Sequence, residues 1–181
     1  MKTLEDQMSF YAAYHQDARN KATHFVGVPL IAFSLMIPLG WMRADVGGVT
    51  VSAALVVTSI LLLYSRALDA PLGLAMCAVF ALMLWGAEPL ARAPFMASLG
   101  WFAVLFIGGW ALQLWGHVYE GRKPALVDNL FQVFVAPIFL AAEMFFALGY
   151  KPRLHEAVQR RALEMRAQAG LTESAGTLTS A

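Results

Sequence analysis

Long apolar runs joined by short polar segments set the pattern of this chain. Residues 25–39, 47–64, 71–85, 94–115 and 130–148 are almost wholly hydrophobic. Between Ala44 and Tyr119 the charged residues are Asp45, Arg66, Asp69, Glu88 and Arg92, and all fall at the joints. In lipid a run must satisfy its own backbone polar groups, which a helix does and an open strand does not. The pattern therefore predicts helices and no strands. The run at 94–115 is the clearest span, with Trp101 towards one end and Trp110, Trp115 and Tyr119 towards the other, where interfacial aromatics belong. Residues 47–64 and 71–85 read as a helical hairpin. The first run is short of the roughly 20 residues a span needs. It carries Pro29 and Pro38, so a kinked, tilted or partly inserted helix is expected there, and Pro137 and Glu143 mark the last run.

The two ends of the chain are more polar. In residues 1–16, Met8, Phe10, Tyr11 and Tyr14 recur at helical spacing, which predicts an amphipathic helix at the membrane surface. From Lys151 onward, Arg153, Arg160, Arg161 and Arg166 surround a line of Leu154, Val158, Ala162 and Met165, and a tail of small residues follows. The expected fold is an all-α polytopic membrane helical bundle, with four to five membrane helices plus interfacial N- and C-terminal helices. Residues 1–150 form one membrane-embedded catalytic domain in this reading; residues 151–181 form a basic amphipathic helix and a disordered tail.

Composition agrees with that pattern. Of 181 residues, 59% are hydrophobic and 14% charged, with a mean hydropathy of +0.60, against about 25% charged residues in soluble domains. A multi-pass protein of a bacterial inner membrane or an ER-type membrane is expected. A formal net charge of +1 and the lack of a long basic run exclude a nucleic-acid partner. The N-terminus has no signal-peptide pattern, and Cys77, the single cysteine, lies in an apolar run and reads as packing. If five segments cross, six lysines and arginines lie on one side and seven on the other. That balance gives no orientation.

Polar groups at membrane depth are costly and usually functional. His15 and His24 lie in Tyr14-His15-Gln16-Asp17-Ala18-Arg19-Asn20-Lys21-Ala22-Thr23-His24, and His117 lies in Gly116-His117-Val118-Tyr119-Glu120. At about 100° per residue, His15 and His24 fall on opposite sides of one straight helix. Asp17 offers a way round this, because it is a good N-cap: one helix can end near Gln16 and another begin at Ala18, with Asn20 and His24 on one face. Gln113, His117 and Glu120 share a stripe. If 25–39 crosses the membrane, three further crossings bring His117 back to the level of His24.

Neutral imidazoles suit zinc, copper and iron, and two histidines with a carboxylate suit non-haem Fe(II) oxygenases. Asn20, Gln113, Asp128, Asn129 and Glu143 are the polar groups available around such ligands. Spacing alone leaves other readings open. The histidines could face headgroups, form the polar relay of a non-enzymatic transporter or lipid-binding factor, or ligate haem. Arg122 and Lys123 either snorkel to the interface or hold a substrate carboxylate, and His155 reads as a surface residue.

These residues resemble a known family, the yeast-type Fe(II)-dependent 2-hydroxy fatty acid dioxygenases, membrane enzymes of fatty-acid α-oxidation and phytosphingosine breakdown. The resemblance rests on Phe10-Tyr11 with Tyr14-His15, on Asn20, His24 and Val28-Pro29, and on Gly116-His117 with Glu120. It continues through Lys123-Pro124-Ala125-Leu126, Asp128-Asn129-Leu130, Ala136-Pro137 and Glu143 to Leu148-Gly149-Tyr150, leaving out the middle hairpin and the tail. It implies an enzyme that uses ferrous iron, Fe(2+), and O2 to shorten a 2-hydroxy fatty acid by one carbon, with the acyl tail among membrane lipid. It further implies His15, His24 and His117 as metal ligands with Glu120 and Asn20 in the catalytic site, and leaves open whether Glu120 binds the iron directly. One departure is Ala18, where the family often has a proline that would enforce the bend. Asp17 remains as the cap.

Overall fold

The computed structural model describes residues 3–121 and 132–179. Helix α1 (Leu4–Ala13) starts at Thr3, which forms a reciprocal capping box with Asp6. The chain then breaks, and Asp17 caps α2 (Ala18–Trp41), its carboxylate accepting from the Arg19 amide at 2.8 Å. The bend expected at Asp17 is present. Helix α2 runs through Pro29 and Pro38 without interruption for 24 residues, about 36 Å at the α-helical rise. The apolar run at 25–39 is short only because the polar turns carrying Asn20 and His24 belong to the same helix.

The structure departs here from the sequence pattern, which predicts no strands and begins a helix at residue 47. Strands β1 (Arg43–Val46) and β2 (Val49–Ser52) pair as an antiparallel hairpin. Gly47 and Gly48 take φ of 61° and 82°, the left-handed geometry that a two-residue hairpin turn requires. The hairpin is largely exposed beyond the helix ends, so the lipid argument against strands does not reach it. Ser52 then caps α3 (Ala53–Leu68) and Asp69 caps α4 (Ala70–Arg92), forming the expected helical hairpin. Helix α5 (Phe95–Glu120) ends at Gly121 in the left-handed conformation. Helices α6 (Gln132–Ala147) and α7 (Pro152–Thr179) complete the described chain.

Helices α2, α3, α4 and α5 run alternately between two ends of a bundle. At one end, beside the β-hairpin, Trp41 donates to Ser98 at 2.8 Å and Arg43 forms a forked pair with Glu88 at 2.8 and 3.1 Å. At the other end stand Asn20, Asp69 and Glu120. Helices α2 and α5 pack antiparallel and close: a Cβ on Gly109 would lie 2.7 Å from the Ile31 side chain and 3.1 Å from the Gly27 carbonyl. Helices α2, α4 and α5 are long and apolar enough to cross a membrane, and α3 and α6 are shorter apolar helices.

Three contacts keep the second half of α6 and its exit at the Glu120 end. Phe139 packs on Tyr11 with centroids 4.4 Å apart, Glu143 accepts from Lys21 at 2.8 Å, and Tyr150, just past α6, donates to Asp69 at 3.4 Å. Helix α1 buries more than one face, including Gln7, Met8, Ser9, Tyr11 and Ala12. Helices α6 and α7 cover it, with Val158 and Ala162 of α7 joining the same core.

Candidate metal centre

Three elements converge at the Glu120 end of the bundle. His15 stands in the bend before Asp17, His24 in the second turn of α2, and His117 in the last turn of α5. All three are buried, at 1%, 3% and 7% exposure, and their ligand atoms lie within 4.8 Å of one another. His24 and His117 share a level, as four alternating helices require.

Hydrogen bonds fix which nitrogen of two of these rings is free. His15 Nδ1 donates to the Tyr11 carbonyl at 2.7 Å, and His24 Nδ1 donates to the Asn20 carbonyl at 2.8 Å. A carbonyl carries no proton, so the ring proton sits on Nδ1 and each Nε2 presents a lone pair. Those two Nε2 atoms face each other at 3.1 Å. Facing lone pairs repel, whereas a cation between them accepts both. A separation near 3 Å also suits adjacent ligands about 2.1 Å from a metal. Burial, with His24 as the next cause, holds the His15 imidazole well below its ordinary range. The ring is therefore in the neutral form that binds metals.

The cluster is walled by aromatic rings. Tyr11 stacks on His15 with centroids 4.1 Å apart and planes 8° from parallel, and Phe139 lies 5.9 Å from His15. Imidazole donors in an apolar, water-poor pocket fit a divalent transition metal, and iron, zinc and copper all suit them. The donor atoms alone do not select among these.

Glu120 lies beside this cluster and faces the bend. Its Oε2 accepts from the backbone amides of Gln16 and Asp17 at 2.9 and 2.8 Å and from Asn20 Nδ2 at 3.1 Å. Its Oε1 pairs with Arg166 of α7, which also donates to the Ala13 carbonyl at 3.1 Å. Asn20 is fully buried and also donates to the Tyr14 carbonyl, while its Oδ1 has no hydrogen-bond partner among the described residues. Gln113, one turn before His117, is likewise buried with an unpartnered Oε1 among the described residues.

Glu143 pairs with Lys21 rather than with a histidine. The acceptors that orient His15 and His24 are thus main-chain carbonyls. Arg122, Lys123, Asp128 and Asn129 lie outside the described residues. His155 is half-buried, stacks on Phe146 at 4.7 Å and is not one of the three grouped histidines.

Two further contributors, Arg166 and Phe139, carry no functional signal in the sequence. The sequence places Arg166 on a basic amphipathic helix, and no local signal links it to Glu120. Phe139 sits in an apolar run with nothing to distinguish it from its neighbours.

Comparison with known proteins now adds to this geometry. The chain is 34% identical over 160 residues to the Saccharomyces cerevisiae 2-hydroxy-palmitic acid dioxygenase MPO1, covering 86% of this chain and 87% of that protein. No solved structure matches the chain significantly. A family model described as 2-hydroxy-palmitic acid dioxygenase Mpo1-like matches residues 1–148, a stretch that contains all three clustered histidines, Asn20 and Glu120, and the chain belongs to the Mpo1-like family.

Proposed function

We propose that the protein is an Fe(II)-dependent membrane dioxygenase that uses O2 to shorten a 2-hydroxy fatty acid by one carbon. The observation that carries this reading is the pair of buried Nε2 lone pairs of His15 and His24 facing each other at 3.1 Å beside His117. The yeast relative supplies the substrate class. In the overall change, the carbon bearing the hydroxyl becomes the new carboxyl. The old carboxyl leaves as carbon dioxide, and O2 takes up the electrons with release of water.

His15, His24 and His117 would hold the iron, which when bound supplies O2 activation and an anchor for the hydroxy acid. The chain's own groups do the rest. The Tyr11 and Asn20 carbonyls keep the His15 and His24 rings in the ligating tautomer. Tyr11 and Phe139 exclude water from one side of the cluster. Glu120 and Asn20 fix the bend that carries His15, and Gln113 lines the α2 side of α5. Arg122 and Lys123 are proposed to meet the substrate carboxylate at the membrane surface, with the acyl tail in lipid beside α5, whose Leu114 and Val118 are exposed. Residues 1–150 form the catalytic unit in this reading.

The test is elemental analysis of protein purified without added metal, together with turnover of 2-hydroxypalmitate. Stoichiometric iron is expected, with loss of both iron and turnover in His15→Ala, His24→Ala and His117→Ala. Zinc in place of iron would overturn the assignment of the metal. Full iron content and turnover in all three variants would overturn the site.

A further inference from the structure

We infer that α2, α3, α4 and α5 are the crossing helices, that α6 returns without crossing, and that the histidine cluster stands at the cytoplasmic face with α1 and α7. This rests on the membrane-protein reading of the proposed function, and it goes beyond it by assigning the sidedness of the site.

The first argument is one of parity. Helix α5 leaves the bundle at the histidine end, where Glu120 binds the Gln16 and Asp17 amides. The chain after α6 is at that same end, because Tyr150 and Lys151 both bind Asp69 at the α3–α4 junction. Glu143 of α6 pairs there with Lys21, and Arg166 of α7 pairs with Glu120. Glu120 and Tyr150 therefore stand at the same end of the bundle. Length does not separate α6 from α3, since each has 16 residues, about 24 Å of helix; the positions of their ends do. The two ends of α3 lie at opposite ends of the bundle, joined to Met42 by the Ala53 amide at 2.9 Å and to Lys151 through Asp69.

Charge then orients the bundle. With α6 returning, eight lysines and arginines among the described residues stand at the histidine end: Arg19 and Lys21 on α2, Arg66 on α3, and five between Lys151 and Arg166. Two, Arg43 and Arg92, stand at the β-hairpin end, and both share the Glu88 carboxylate. The even split obtained for five crossings becomes strongly one-sided. Positive residues flanking membrane helices stay cytoplasmic, so the β-hairpin faces the opposite compartment. The carboxylate of a 2-hydroxy acid would accordingly reach the histidines from the cytoplasmic leaflet.

Single cysteines in the full chain test this, in a Cys77→Ser background made in a bacterial inner membrane. Thr50→Cys lies on the hairpin, Ala67→Cys at the end of α3, and Glu156→Cys on α7; all three positions are exposed. In intact spheroplasts a membrane-impermeant maleimide is expected to label Thr50→Cys alone, and all three after permeabilisation. Labelling of Thr50→Cys with Glu156→Cys would show that α6 crosses. Labelling of Ala67→Cys with Glu156→Cys and not Thr50→Cys would invert the orientation, and equal labelling of all three would refute a single orientation. Extraction of the chain by alkaline carbonate would instead overturn the membrane reading itself. A green fluorescent protein fused after Ala181 gives an independent readout should the cysteine variants misfold, since it is fluorescent only if that end is cytoplasmic.

Discussion

Glu120 is the residue through which the histidine cluster keeps its shape. Its side chain is 1% exposed, and a buried carboxylate is stable only when its oxygens are satisfied. Two main-chain amides, Asn20 and Arg166 do this, and the amides belong to Gln16 and Asp17, the residues that follow His15. Position is thereby transmitted from α5, which carries His117, to the bend that carries His15. Glu120→Gln keeps the volume but turns an amide nitrogen towards donors. Its metal affinity is expected to fall about 10- to 100-fold, the usual effect of disturbing groups that orient ligands, with helical content retained. Competition with a chromophoric chelator measures this, and an unchanged affinity would remove Glu120 from any role at the cluster. Arg166→Lys should fall between wild type and Arg166→Gln. Both contacts come from the one Nη1 nitrogen of Arg166, so an ammonium can replace them in part, at the cost of its stronger hydration and more flexible stem.

At the scale of helices, the cluster depends on how closely α2 approaches α5. Gly109→Ala would place a Cβ 3.1 Å from the Gly27 carbonyl and 3.2 Å from the Ile31 amide nitrogen. Backbone cannot step aside as a side chain tip can, so a loss of about 1–3 kcal/mol is expected. Gly108→Ala is the control, because nothing lies within 4 Å of its added carbon and alanine is the better helix former by about 1 kcal/mol. Thermal unfolding in detergent should move in opposite directions for the two variants. A second joint ties α4 to the chain after α6, where Asp69, buried at 2% side-chain exposure, caps α4 and pairs with Lys151. That carboxylate raises the Lys151 pKa above its ordinary 10.5. A raised lysine pKa means that the stabilisation is fully present below the unfolded value and is lost as pH rises through the folded one. Unfolding temperature in wild type should therefore drop above about pH 10.5, the unfolded-state lysine value. Lys151→Ala should be less stable at neutral pH and show a flatter alkaline profile; identical profiles would deny the pair any role.

For the molecule as a whole, what could be read in the sequence was what local chemistry dictates. The bend at Asp17 followed from capping, the α3–α4 hairpin from charges at the joints, and the meeting of His24 with His117 from the number of crossings. The β-hairpin has its local signal in Val46-Gly47-Gly48-Val49, and the lipid rule against strands does not hold there because these residues are exposed beyond the helix ends. The Arg166–Glu120 pair and the contacts of Glu143 with Lys21 and of Tyr150 with Asp69 join distant segments, which no local pattern encodes. The same long-range architecture leads to a last prediction. His15, His24 and His117 come from the bend, α2 and α5, so one ion bound to all three would tie three elements together at once. Binding to the folded state alone stabilises by about 2.7 kcal/mol at 100 times the dissociation constant, and a chain of this size gains about 2–4 °C per kcal/mol. Adding Fe(II) anaerobically to metal-stripped protein should therefore raise its unfolding temperature by about 5–10 °C, a conversion that takes unfolding as two-state. The shift should vanish in His117→Ala, a variant that leaves the α1–α2 bend and its Glu120 contacts in place. An equal shift in wild type and His117→Ala would mean that iron binds elsewhere, and no shift in either would mean that the three histidines do not hold it.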